Sequence, residues 1–92
     1  LENAADELVF NTFAYGVRTL AEAEGCENLR LINIGADNLG SATPLLKTAG
    51  GSVTAVNMMR YNGKSYENEG SRLAIFNRIT IGAATEQTVI EP

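Results

Sequence analysis

At 92 residues, with 45% hydrophobic and 20% charged side chains, the chain has the size and composition of one folded domain, residues 1-92, rather than of a disordered segment. It has no His and no Trp, which removes imidazole as general base, proton shuttle or zinc ligand, and its net charge of −4 argues against nucleic acid as the main partner. A lone Cys26 closes no disulfide within the chain and builds no metal site, and no apolar run approaches the ~20 residues of a membrane span.

Taken from the N-terminus, Asn3 to Glu24 has the spacing of an amphipathic helix, with Val9, Phe13, Val17 and Leu20 recurring on one side beside Gly16 and Ala23. Asn3 suits its N-cap, Asp6 and Glu7 its first turn, and Gly25 the position just past its end. Cys26 then reads as a small buried hydrophobe. Leu29 to Ile34 is apolar and β-branched enough for a buried strand.

The segment Gly35 to Thr43, GADNLGSAT, is turn-forming. It has the outline of a phosphate-binding loop but fails where that chemistry lies: Gly40 is followed by Ser41-Ala42, not by a lysine and a hydroxyl residue. Thr43-Pro44 opens a short helical turn through Leu45, Leu46 and Lys47, closed by Gly50-Gly51. Strands follow at Val53 to Tyr61, Lys64 to Glu67, Arg72 to Ile81 and around Thr88 to Ile90, with Asn62-Gly63 as a hairpin turn between the first two. No internal repeat is evident in this reading.

Two groups of residues stand out. Arg60, Tyr61, Lys64 and Tyr66 cluster about the predicted hairpin tip, and Tyr and Arg are favoured where proteins meet. Asn33, Asn57 and Asn77 each interrupt an otherwise apolar strand row, so they must be paired, wet or turned toward a ligand. The carboxylates and tyrosines show no spacing that ties a pair to one catalytic site, and no cofactor motif is present. Charge is also uneven: residues 1 to 37 carry seven acidic side chains against Arg18 and Arg30, a balance of −5, while residues 38 to 92 carry five basic against four acidic, a balance of +1.

The expectation is therefore an α+β domain, an N-terminal amphipathic helix packed on an antiparallel sheet of four to five strands. The expected role is a non-enzymatic interaction or assembly subunit, part of a filament, virion or other complex, whose partner is another protein or a second copy meeting it head to tail. A small-molecule-binding domain or small enzyme using the strand asparagines and carboxylates is the alternative. A soluble protein is expected, with an extracellular setting or a virion or filament as natural places for it.

Overall fold

The computed structural model describes residues 1-16, 18-37, 43-61, 63-81 and 88-92. Among them there is no helix. The chain winds as a β-solenoid, in which each turn lays one short and one long strand directly on those of the turn before. The long strands are β1 (Leu8–Tyr15), β3 (Leu29–Asp37), β5 (Ser52–Tyr61) and β7 (Arg72–Ile81); the short ones are β2 (Ala21–Glu24), β4 (Leu46–Ala49) and β6 (Tyr66–Glu69). A final strand, β8 (Thr88–Glu91), turns back. One sheet has the order β1-β3-β5-β7-β8 and the other β2-β4-β6.

Every neighbouring pair is parallel except β7 with β8. Leu8 lies beside Arg30, Leu29 beside Val53 and Ser52 beside Arg72, steps of 22, 24 and 20 residues. Residues 1 to 7 belong to the first, partial turn: Glu2 bridges Glu24 and Ala5 bridges Glu27 in the same parallel sense. The α+β expectation is thus overturned, and so is the antiparallel sheet. An internal repeat exists after all, one per turn.

The helix expected over residues 3 to 24 fails for a reason visible in the residues. Leu8–Tyr15 reads LVFNTFAY, rich in the aromatic and β-branched side chains that strands favour. Val9 and Phe13 are four apart, as on a helix face, yet Val9 packs against the core while Phe13 is 56% exposed. Asn11 lies between them at φ 52, and a left-handed residue shifts the in-out alternation by one. Asn3, the expected N-cap, is itself left-handed and bonds through its N–H to the carbonyl of Glu24. Val17 lies outside the described residues.

The short helical turn expected after Thr43-Pro44 is replaced by β4. The hairpin is not formed either, because β5 and β6 lie in different sheets; Gly63 is left-handed at φ 106, while Asn62 lies outside the described residues, as do Gly40, Ser41 and Ala42 of the glycine loop.

The interior is filled by Leu29, Leu31, Val53, Ala55, Leu73 and Ile75 before the left-handed position, by Ile34, Ala36 and Met58 after it, and by Leu45, Leu46 and Ala23 from the other wall. Cys26 sits at the corner between β2 and β3, 1% exposed, with Sγ near the carbonyl of Leu1. The corners are tight turns at Gly25, Gly50, Gly51 and Gly70, all left-handed. On this side Nδ2 of Asn28 donates to Asp6, and the Asn28 N–H donates to the hydroxyl of Ser52. No described helix is long and apolar enough to cross a membrane.

Candidate interaction surface

Four asparagines, Asn11, Asn33, Asn57 and Asn77, take the same left-handed conformation, with φ between 52 and 61, at the same place in successive long strands. Asn tolerates that region far better than a branched residue because its short amide bonds locally. Here the local partner is the asparagine one turn away. Nδ2 of Asn33 donates to Oδ1 of Asn11 at 3.0 Å, Asn57 to Asn33 at 2.8 Å and Asn77 to Asn57 at 2.8 Å. The ladder has a direction. Nδ2 of Asn11 and Oδ1 of Asn77 remain at its ends, with no partner among the described residues.

Asn33, Asn57 and Asn77 are therefore brought together, but on the outside of the long sheet and not in the core. They spend their amides on one another, with Asn11 as the fourth member. Their apparent place in an apolar row came from carrying period two through the left-handed residue. In β5, Val53 and Ala55 point inward, Asn57 outward, and then Met58 and Arg60 inward. The rows continuing from Asn57 to Met59 and Tyr61 change face at Asn57.

On either side of the ladder the outer face is apolar. Before it, Phe10, Ile32, Val56 and Phe76 stack in one row; after it come Phe13, Gly35, Met59 and Ile79, then Tyr15, Asp37, Tyr61 and Ile81. Seven of these side chains are large, hydrophobic and at least 40% exposed: Phe10, Phe13, Tyr15, Tyr61, Phe76, Ile79 and Ile81. Phe13 lies over Gly35, where a Cβ would come within 3.2 Å of its ring and within 2.9 Å of the Met59 carbonyl. The parallel register makes these rows, since identical strand positions stack from turn to turn.

The four residues of the expected tip are dispersed by the same geometry. Arg60 is buried, 1% exposed, and Nη1 donates to the carbonyls of Thr43 and Lys64, each at 2.6 Å. Burial pulls its guanidinium below the ordinary value, though an arginine stays charged at any working pH. Tyr61 is on the outer face. Lys64 pairs with Glu67 at 3.1 Å in the open. Tyr66 lies on β6 with Arg78 over its ring, 5.4 Å from the centroid, and its hydroxyl donates to Glu91 at 2.7 Å. Sequence reasoning missed Phe10, Phe13, Phe76 and Ile79. The signal that finds them is the asparagine spacing together with apolar residues two and four places earlier: Leu29 and Leu31, Val53 and Ala55, Leu73 and Ile75.

The short sheet presents the opposite character. Glu2, Glu22, Glu24, Glu67 and Glu69, with Lys47, line a shallow depression of about 360 Å³ on that side. Among the described residues no group of His, Cys, Asp or Glu could hold a metal ion. A wider, open depression at the turn ends is lined by Arg18, Thr43, Pro44 and Lys47 among others. Neither includes an asparagine of the ladder.

Comparison of the chain with protein families, with curated proteins and with solved structures gives no match in any of the three.

Proposed function

We propose that the chain is a non-enzymatic interaction or assembly module, a segment of β-solenoid that meets another protein through the outer face of its long sheet. The observation that carries this reading is the stacking of exposed aromatic and aliphatic side chains in rows on both sides of the asparagine ladder. Contiguous exposed apolar surface marks interaction sites, and among the described residues the charges on the outward rows of the long strands are Arg30, Asp37 and, at the start of β7, Arg72. Regular from turn to turn and mostly apolar, it suits a protein partner that covers several turns at once. Aromatic residues of this kind are the usual anchors of such contacts.

Surface labelling of tyrosines tests the reading. Tyr61 is 42% exposed in the single chain and sits at the end of β5, in the last row of the face. It should be labelled readily in dilute, isolated chain and be protected in the native particle. Equal labelling in both states would refute docking through this face. Replacing Phe76 and Ile79 together by Ser should release the partner while the circular dichroism spectrum stays that of the parent.

A further inference from the structure

The outer face of the long sheet is laid out symmetrically about the asparagine ladder. In β3 the outward positions are Arg30 and Ile32, then Asn33, then Gly35 and Asp37. The other long strands repeat this spacing in register, so two rows flank the ladder on each side, those of Arg30 and Ile32 before it and those of Gly35 and Asp37 after it. The two outermost rows differ in bulk and in charge. Beside Arg30 and beyond it lie Leu8, Thr54 and Ala74, whereas the Asp37 row carries Tyr15, Tyr61 and Ile81.

We infer that this face pairs with the same face of a second copy, about a two-fold axis running along the ladder, so that each long strand lies antiparallel over its own counterpart. This rests on the reading of the face as a protein-docking surface and names the partner. What selects a second copy is that the face is its own complement. The axis sets the Arg30 row of one chain over the Asp37 row of the other: Arg30 meets Asp37, Thr54 meets Tyr61 and Ala74 meets Ile81, small against large. The Ile32 row covers the Gly35 row and brings Phe76 onto Ile79, while the ladder amides, already bonded to one another, lie along the axis. Stacked sheets pack about 10 Å apart with their strands nearly aligned, a gap that an arginine and an aspartate span together. The charges also fix the direction. With the axis along the strands instead, each row meets its own row, so Arg30 faces Leu8, Arg30, Thr54 or Ala74 of the other copy and never an acid, and its charge is buried unpaired. Arg72, at the corner, is held by Glu27 at 3.4 Å. The area is adequate as well. At about 150 to 250 Å² for a whole aromatic side chain, the seven large exposed side chains of this face offer on the order of 700 Å² per copy, against about 800 Å² per partner in a stable interface. Such a contact is isologous and closes at two chains.

Light scattering on the intact chain over a range of protein concentrations, with tyrosine labelling of the same samples, tests this. The mass should rise from that of one 9.8 kDa chain to that of two and stop there, and Tyr61 should become protected as it does so. Arg30→Asp alone and Asp37→Arg alone should each weaken dimerisation about tenfold, because two ion pairs per dimer become two like-charge contacts. The chain carrying both changes should recover the parental constant, and a double variant no better than either single one overturns the pairing. If Asp37→Arg does not fold, Arg30→Asp decides alone, a tenfold loss supporting the pairing and an unchanged constant overturning it. A single-chain mass at every soluble concentration, or growth beyond two chains, overturns it too. The docking surface itself fails separately. A chain that stays single while Tyr61 is protected in the native particle keeps the face and loses the second copy, whereas a dimer in which Tyr61 is labelled as in the single chain loses both.

Discussion

At position 57 the chain needs a residue that holds positive φ, points outward and offers both a donor and an acceptor, and asparagine meets all three requirements. Its φ is 59, and it bonds to Asn33 above and Asn77 below. Asn57→Gly keeps the backbone conformation and removes two exposed hydrogen bonds, so a loss of about 1 to 2 kcal/mol is expected. Asn57→Val adds a further penalty of about 1 to 2 kcal/mol for an L side chain in the left-handed region, more for a branched one. Urea unfolding of the two variants decides this, and equal midpoints would remove the conformational part of the argument. The sequence shows that these amides are anomalous in strands, but not that each also reverses the side-chain alternation, because φ is not written in residue type. Arg60 was opaque for the same reason, since after Asn57 its position turns inward. Arg60→Ala removes the guanidinium donor from the Thr43 and Lys64 carbonyls, of which the second still accepts from the N–H of Leu45 at 3.2 Å. A loss of about 3 kcal/mol is expected in thermal or urea unfolding, and a change of a few tenths would mean that water replaces the guanidinium at no cost.

Corners decide how the strands stack. Gly51 follows β4 at φ 64, and a Cβ built there would collide with the backbone of Cys26 in the turn before. Gly70, at the corner one turn later and in register with Gly50, has φ 78 and nothing within 4 Å of such a Cβ. Gly70→Ala should therefore cost only the conformational penalty of about 1 to 2 kcal/mol. Gly51→Ala must also push two turns apart, and the expected outcome is a loss at least twice as large or failure to fold. Comparable melting temperatures for the two variants would show that the corner relaxes easily. Individual strands were well marked in the sequence: β7 has the bounds Arg72–Ile81 read from its alternation, and β5 differs from its expected start by one residue. β1 was obscured because Val9, Phe13 and Leu20 fall at helical spacing once Asn11 has displaced the strand period. Gly50-Gly51 suits the close of a helical turn by residue type, yet it joins β4 to β5. Local chemistry identifies a corner without saying which neighbour it stacks on.

How the turns pair was the least legible property, because a parallel ladder joins residues 20 to 24 apart and leaves no mark as local as a hairpin turn. Asn62-Gly63 argued for antiparallel pairing of its flanking strands, yet the ladder partners of β5 are β3 and β7. The polarity of the stack follows from this topology: the acidic first 37 residues form the earlier turns, and β8 runs back along β7 beyond the later ones. One carboxylate helps to hold that pairing. Glu91 accepts from the Tyr66 hydroxyl at 2.7 Å and from Asn68 Nδ2 at 2.8 Å. The bond from Tyr66 first, and that from Asn68 second, hold its carboxyl below the ordinary value of 4.5, against a smaller opposing effect of burial. A folded pKa below the unfolded one means that the unfolded chain takes up the proton more readily. The stabilisation is complete above the unfolded value and is lost as pH falls through the folded one. Glu91→Gln keeps the shape of the side chain and removes the titration. The parent should melt higher than this variant at pH 7, and the gap should close on acidification from pH 5 to pH 3. Tyr66→Phe should narrow the same gap by removing the leading donor. A parent-to-variant difference that stays constant across this range would show that the Glu91 charge has no part in holding β8 against β7.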